Sequence, residues 1–102
     1  MTQPLSDASR IFGERVRAQR LKVSCSQEEI ALLAGMNVSN YGKIERGLGN
    51  PNFDTIVRIA SALDTDPGKL VERITSAALP EHERAFSAAE FIKEKRARQA
   101  SR

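Results

Sequence analysis

Few residues here are equipped for covalent chemistry. Cys25 is the single cysteine and His82 the single histidine, and they stand far apart in the chain. They allow no intramolecular disulfide and no cysteine-rich zinc site, and no motif joins them as nucleophile and base. A Gly-rich phosphate loop, a metal-ligand cluster and a nucleophile motif are all missing from the sequence, so no catalytic residue, metal or cofactor is expected. What remains is the chemistry of hydrogen bonds and positive charge. Gln27, Ser39, Asn40, Lys43, Arg46 and Asn50 fall within a short stretch, between two basic clusters. Arg10, Arg15, Arg17, Arg20 and Lys22 form the first cluster; Lys93, Lys95, Arg96, Arg98 and Arg102 form the second. The formal net charge of +3 permits a polyanionic partner without requiring one.

The elements that must hold these groups are helical. Sustained apolar–polar alternation is absent, while helical spacing recurs. A first helix opens at Ser6 or Asp7 and turns Ile11, Phe12, Val16 and Leu21 to one side, with arginines on the other. Ser26 with Glu29 makes a capping box ahead of Ile30–Ala34, and Gly35 ends that second helix where a positive φ suits glycine. Asn37 can cap a third helix reaching Arg46, and Gly47, Gly49 and Pro51 form the loop after it. Phe53, Ile56, Val57, Ile59, Ala60 and Leu63 give a fourth helix its apolar side. Asp66 caps and Pro67 opens a fifth, with Leu70, Val71 and Ile74 as its apolar set. Residues 76–80 read as a linker. Pro80 opens a sixth, amphipathic helix through Arg98, on which Ala85, Phe86, Ala89 and Ile92 share helical spacing.

The second and third helices are short and joined by only a few residues. Helices that cross steeply need a small contact point, which Ala31 supplies, and Gly35 supplies the turn. Ile30, Ala34, Met36, Tyr41 and Ile44 then form the buried faces. This is the helix-turn-helix arrangement, with one helix across the phosphate backbone and the next in the major groove. The stretch SQEEIALLAGMNVSNYGKIERGLGNPNFDTIVRIASALDTDPGKL resembles the phage-repressor-like, or XRE-type, helix-turn-helix family, and the likeness covers roughly residues 8–74. Its marks are Ser-Gln-Glu-Glu, Ala31, Gly35, Lys-Ile-Glu-Arg-Gly at 43–47, Asn50-Pro51 and Ile-Ala-x-Ala-Leu at 59–63.

The resemblance implies an all-α fold: a compact five-helix domain plus the C-terminal amphipathic helical tail. It implies a transcriptional repressor that binds double-stranded DNA as a homodimer, reading half-sites of a near-palindromic operator ~34–36 Å apart. Val38, Ser39, Asn40 and Lys43 are the implied base contacts; bare helix periodicity would equally allow a solvated helix start. Gln27, Arg46 and Asn50 are the implied phosphate contacts, with Arg17 added from the first helix and Tyr41 from the reading of its own side chain. Arg20 and Glu45 are the implied structural pair, and breaking a partly buried one would cost ~3–5 kcal/mol. Tyr41 and Gly42 depart from the family pattern. Tyr41 is expected in the core with its hydroxyl reaching out to a phosphate. Gly42, which costs up to ~1 kcal/mol against alanine inside a helix, is expected to let the helix lie closer to DNA. Cys25, where the family commonly has leucine, reads as a small buried hydrophobe or, less simply, a redox-sensing thiol.

The expected organisation is a flexible N-terminus at 1–7, the DNA-binding domain at 8–76 and the basic tail at 77–102. That tail can fold back, form a dimer contact or hold a protein partner through residues 78–102, as in an antitoxin-like interaction module. Without a secretory leader or the ~20-residue apolar run that spans a bilayer, no membrane association is expected and the cytoplasm is the expected location.

Overall fold

The computed structural model describes residues 2–101. Six α-helices follow one another, and no strand occurs among the described residues. α1 spans Asp7–Lys22, capped by the Ser6 hydroxyl accepting from the Ser9 amide. It therefore begins inside the segment expected to be flexible, where the Leu5 amide also donates to the Gly47 carbonyl at 2.9 Å. Its buried stripe is Phe12, Val16 and Arg20, four residues apart. Leu21, expected on that face, is 52% exposed. The position it was assigned belongs to Arg20, whose charge is neutralised inside the protein.

α2 spans Gln27–Leu33 behind the Ser26–Glu29 capping box. Gly35 follows with φ +67, and a Cβ there would meet nothing, so backbone conformation alone selects glycine. α3 spans Val38–Glu45, capped by Asn37. α4 spans Phe53–Ala62 behind Asn52, and α5 spans Pro67–Val71 behind Asp66. The core runs through all five: Phe12, Val16, Ile30, Ala31, Ala34, Tyr41, Ile44, Ile59, Ala60, Leu63 and Leu70. On α4 the packed stripe is Ile59, Ala60 and Leu63 with Ile56 at its margin; Phe53 and Val57, expected on it, are 74% and 39% exposed. Phe53 occupies the first helical position, before the helix reaches its neighbours.

Side chains from distant elements close the ends of these short helices. The Arg15 guanidinium donates to the Leu70 and Glu72 carbonyls at the end of α5, and the Gln19 amide to the Leu63 carbonyl at the end of α4. Arg58 on α4 donates to the Ala34 carbonyl at the end of α2. Each satisfies a carbonyl left open by the last turn and places a donor at the negative end of the helix dipole. α1 and α3 meet through backbone. A Cβ on Gly13 would lie 2.6 Å from the Glu45 carbonyl oxygen and closer still to that of Ile44.

Beyond α5 the chain makes two single 3-10 turns, at Ser76–Ala78 and Glu81–Glu83, before α6 at Ala88–Ala100. The expected start at Pro80 is therefore early by about two turns. Arg84 holds the Leu79 and Ala77 carbonyls in a local loop, and a capping box between Ser87 and Glu90 sets the actual start. Ala85 and Phe86 fall outside the helix. Every residue of α6 is exposed. The radius of gyration, 17.7 Å, exceeds the ~13 Å of a compact chain this long, because the tail extends from the core.

Candidate nucleic-acid interface

α3 presents its first turn to solvent with its geometry already fixed. The Asn37 carboxamide accepts from the Ser39 and Asn40 amides at 2.8 and 3.3 Å. Val38, Ser39 and Asn40 are exposed, as are Lys43 one turn on, Arg46 at the C-cap and Asn50 in the following loop. Asn40, Lys43 and Asn50 share a groove of about 300 Å³ between α3 and the start of α4, with Asn52 and Thr55 on its far wall. Among the described residues neither Lys43 nor Arg46 is held in a salt bridge. Arg17 is exposed on α1.

Beneath this surface lies a buried ion pair. Arg20 Nε and Nη2 donate to the two Glu45 carboxylate oxygens at 2.6 and 3.0 Å, and the Arg20 Nη1 donates to the Cys25 carbonyl. The Gln27 amide adds a 2.9 Å hydrogen bond to Glu45 Oε1. Burial alone would push the Glu45 carboxyl up, but the hydrogen bonds from Arg20 and Gln27 hold it below its ordinary value. The two-pronged geometry fastens the first helix to the last turn of α3 and orients the first residue of α2.

The structure corrects the reading of Tyr41. Its side chain is fully buried, and its hydroxyl has no hydrogen-bond partner among the described residues. Burial, reinforced by the nearby Glu45 carboxylate, drives its pKa far above the ordinary phenol value. A hydroxyl enclosed in this way does not reach a phosphate; the large ring fills the space where the two helices meet. Gln27 is half-buried and one of its amide hydrogens is committed to Glu45, so its interface is shared with the interior. Cys25 is half-buried against the core, and His82 is exposed in the tail.

Sequence reasoning missed Gly13, Arg15, Gln19 and Arg58, which hold the helices in place, and Asn52, which caps α4 and walls the groove. A glycine in the middle of an otherwise good helix, at a cost of ~1 kcal/mol, was the one available sign of Gly13. The cross-helix donors leave no local signal, because their partners are carbonyls 24 to 57 residues away.

Comparison with known proteins agrees with the helix-turn-helix fold. Residues 16–70 match the helix-turn-helix family model. Control protein C.SmaI of Serratia marcescens is 34% identical over 67 residues, spanning 66% of this chain and 80% of that one. Among solved structures, the restriction-modification controller protein C.AhdI from Aeromonas hydrophila is 39% identical, with a TM-score of 0.60 over 61% of this chain and 94% of that one. The P22 c2 repressor, solved in complex with synthetic operator 9T, is 27% identical, with a TM-score of 0.58 over the same 61% and 94%. The chain belongs to the helix-turn-helix family. It is a DNA-binding transcriptional regulator of the XRE type. No helix among the described residues is long and apolar enough to cross a membrane.

Proposed function

We propose that the protein is a cytoplasmic repressor that binds double-stranded DNA as a homodimer on a near-palindromic operator. Val38, Ser39, Asn40 and Lys43 read base edges, Gln27, Arg46, Asn50 and Arg17 hold phosphates, and no catalytic step is involved. Residues 8–76 are the binding unit. The observation that carries this is the first turn of α3: capped, exposed and flanked by cations that make no salt bridge among the described residues, on an anchored helix pair. Asn40 suits adenine, Ser39 can donate or accept, and Val38 suits a thymine methyl. That the P22 c2 repressor, 27% identical, was solved in complex with an operator supports DNA as the partner.

Fluorescence anisotropy on a duplex selected from a random library tests the reading. The Ser39→Ala/Asn40→Ala variant should keep its affinity for random DNA and lose its preference for the selected duplex. Unchanged discrimination would remove these residues from the readout. Two half-sites one helical turn apart in the selected sequences are the expected mark of the dimer.

The tail supports a second reading, in which residues 78–102 hold a protein partner. Phe86, Phe91 and Ile92 are exposed there. A chain ending at residue 77 that keeps operator binding and dimerisation, but loses a partner that the full chain captures, would favour it.

A further inference from the structure

Three glycines of the helical core owe their identity to different causes. Gly35 has a positive φ and open space around it. Gly13 has a carbonyl wall. Gly42 has neither: it lies inside α3 in ordinary helical conformation, where glycine is the poorest choice after proline. Around its missing side chain stand two polar groups from the interface. A Cβ on Gly42 would lie 3.1 Å from Arg46 Nη1 and 3.5 Å from Gln27 Oε1. Gly42 is itself buried, although Lys43 and Arg46 beside it are exposed, so these side chains cover it.

We propose that Gly42 is a positioning residue of the DNA interface, seating the Arg46 guanidinium against α3 beside the Gln27 carboxamide so that both meet one phosphate. This rests on the DNA-binding reading above. The Gln27 amide nitrogen carries two hydrogens and gives one to Glu45, which leaves the other for a phosphate oxygen. Glu45 is in turn clamped by Arg20, so the amide is held by the same pair that fastens α1 to α3. Arg46 supplies the charge and makes no salt bridge among the described residues. A side chain larger than a methyl at position 42 would occupy the seat and displace the guanidinium from it. Phosphate contacts fix register on the duplex without reading sequence, so Gly42 governs affinity rather than discrimination.

The test uses the full chain, the selected duplex and a random duplex, with affinity measured across a salt series and folding followed by thermal melting. Gly42→Leu should still melt cooperatively and be folded at the assay temperature, lose about tenfold in affinity on both duplexes, and show a log K against log salt slope shallower by about one. Arg46→Ala should match it, and adding Gly42→Leu to Arg46→Ala should change nothing further. Gly42→Ala displaces the guanidinium by only a few tenths of an ångström, is safe for the fold, and should lose about threefold as the charged hydrogen bond goes out of line. A parental salt slope in Gly42→Leu, parental affinity in Gly42→Ala, or a further loss in the double variant would overturn the proposal. A parent protein that binds neither duplex would instead overturn the DNA-binding reading beneath it.

Discussion

Two helices of this molecule begin with the same device and end in opposite circumstances. Ser26 with Glu29 and Ser87 with Glu90 are both reciprocal capping boxes. The first opens α2, only seven residues long, which buries Ile30 and Ala31 and is closed at its far end by Arg58. The second opens α6, thirteen residues long, which buries nothing and carries one exposed i,i+4 ion pair between Arg98 and Glu94. An isolated helix shorter than ~12–15 residues is marginal in water, so the longer helix is the less secure of the two. Capping sets where a helix begins, and burial decides whether it persists.

The contrast can be broken from the core side first. Arg20→Met strands the Glu45 carboxylate in the interior and should cost ~3–5 kcal/mol in urea unfolding, the largest effect foreseen. The same pair makes the core acid-sensitive. Because the folded Glu45 carboxyl sits below its ordinary value near 4.5, its contribution is present above that pH and disappears as pH falls through the lower folded value. Melting temperatures measured from pH 6 downward should drop in the parent, and drop less steeply in a Glu45→Gln variant. Gly13→Ala pushes a methyl into the Ile44 and Glu45 carbonyls and should cost ~1–3 kcal/mol, although alanine is the better helix former. A stabilised Gly13→Ala protein would show that α1 and α3 can separate without penalty.

Smaller effects sharpen the comparison between the boxes. Ser26→Ala should lower global stability by ~1 kcal/mol, whereas Ser87→Ala should leave the core melting curve unchanged and reduce only tail helicity. Equal losses in global stability would mean that α6 is coupled to the core. Amide exchange should report the same division, with slow exchange in α2 and α3 and little protection along α6.

Local signals made much of the fold legible. Ser26, Asn37, Asp66 and Pro67 mark helix starts through their own backbone chemistry, and Gly35 marks a turn. Ala31 is buried at the helix crossing, the role its small size suggested. Leu21, Phe53 and Val57 were misplaced because apolar spacing shows that a helix has a face without showing where its neighbours stop. Arg20 took a core position that apolar counting cannot award to an arginine. At the interface, exposure of Val38, Ser39, Asn40 and Lys43 follows from their place after the Asn37 cap. Tyr41 was read half correctly: the ring is core, but a hydroxyl's direction depends on which groups enclose it, and these come from α1 and α3 together.

The long-range caps on α4 and α5 also bear on how the chain is made. Gln19 and Arg15 lie in the first helix, yet the carbonyls they close are 44, 55 and 57 residues downstream. During synthesis α1 leaves the ribosome before those carbonyls emerge. Gln19 stays hydrated until Leu63 has emerged and Arg15 until Glu72 has, and only then does the bundle gain its last cross-links. Completion of the frame around α3 thus waits on a segment outside the candidate interface, and a nascent chain halted before that point presents α3 without the caps that close α4 and α5.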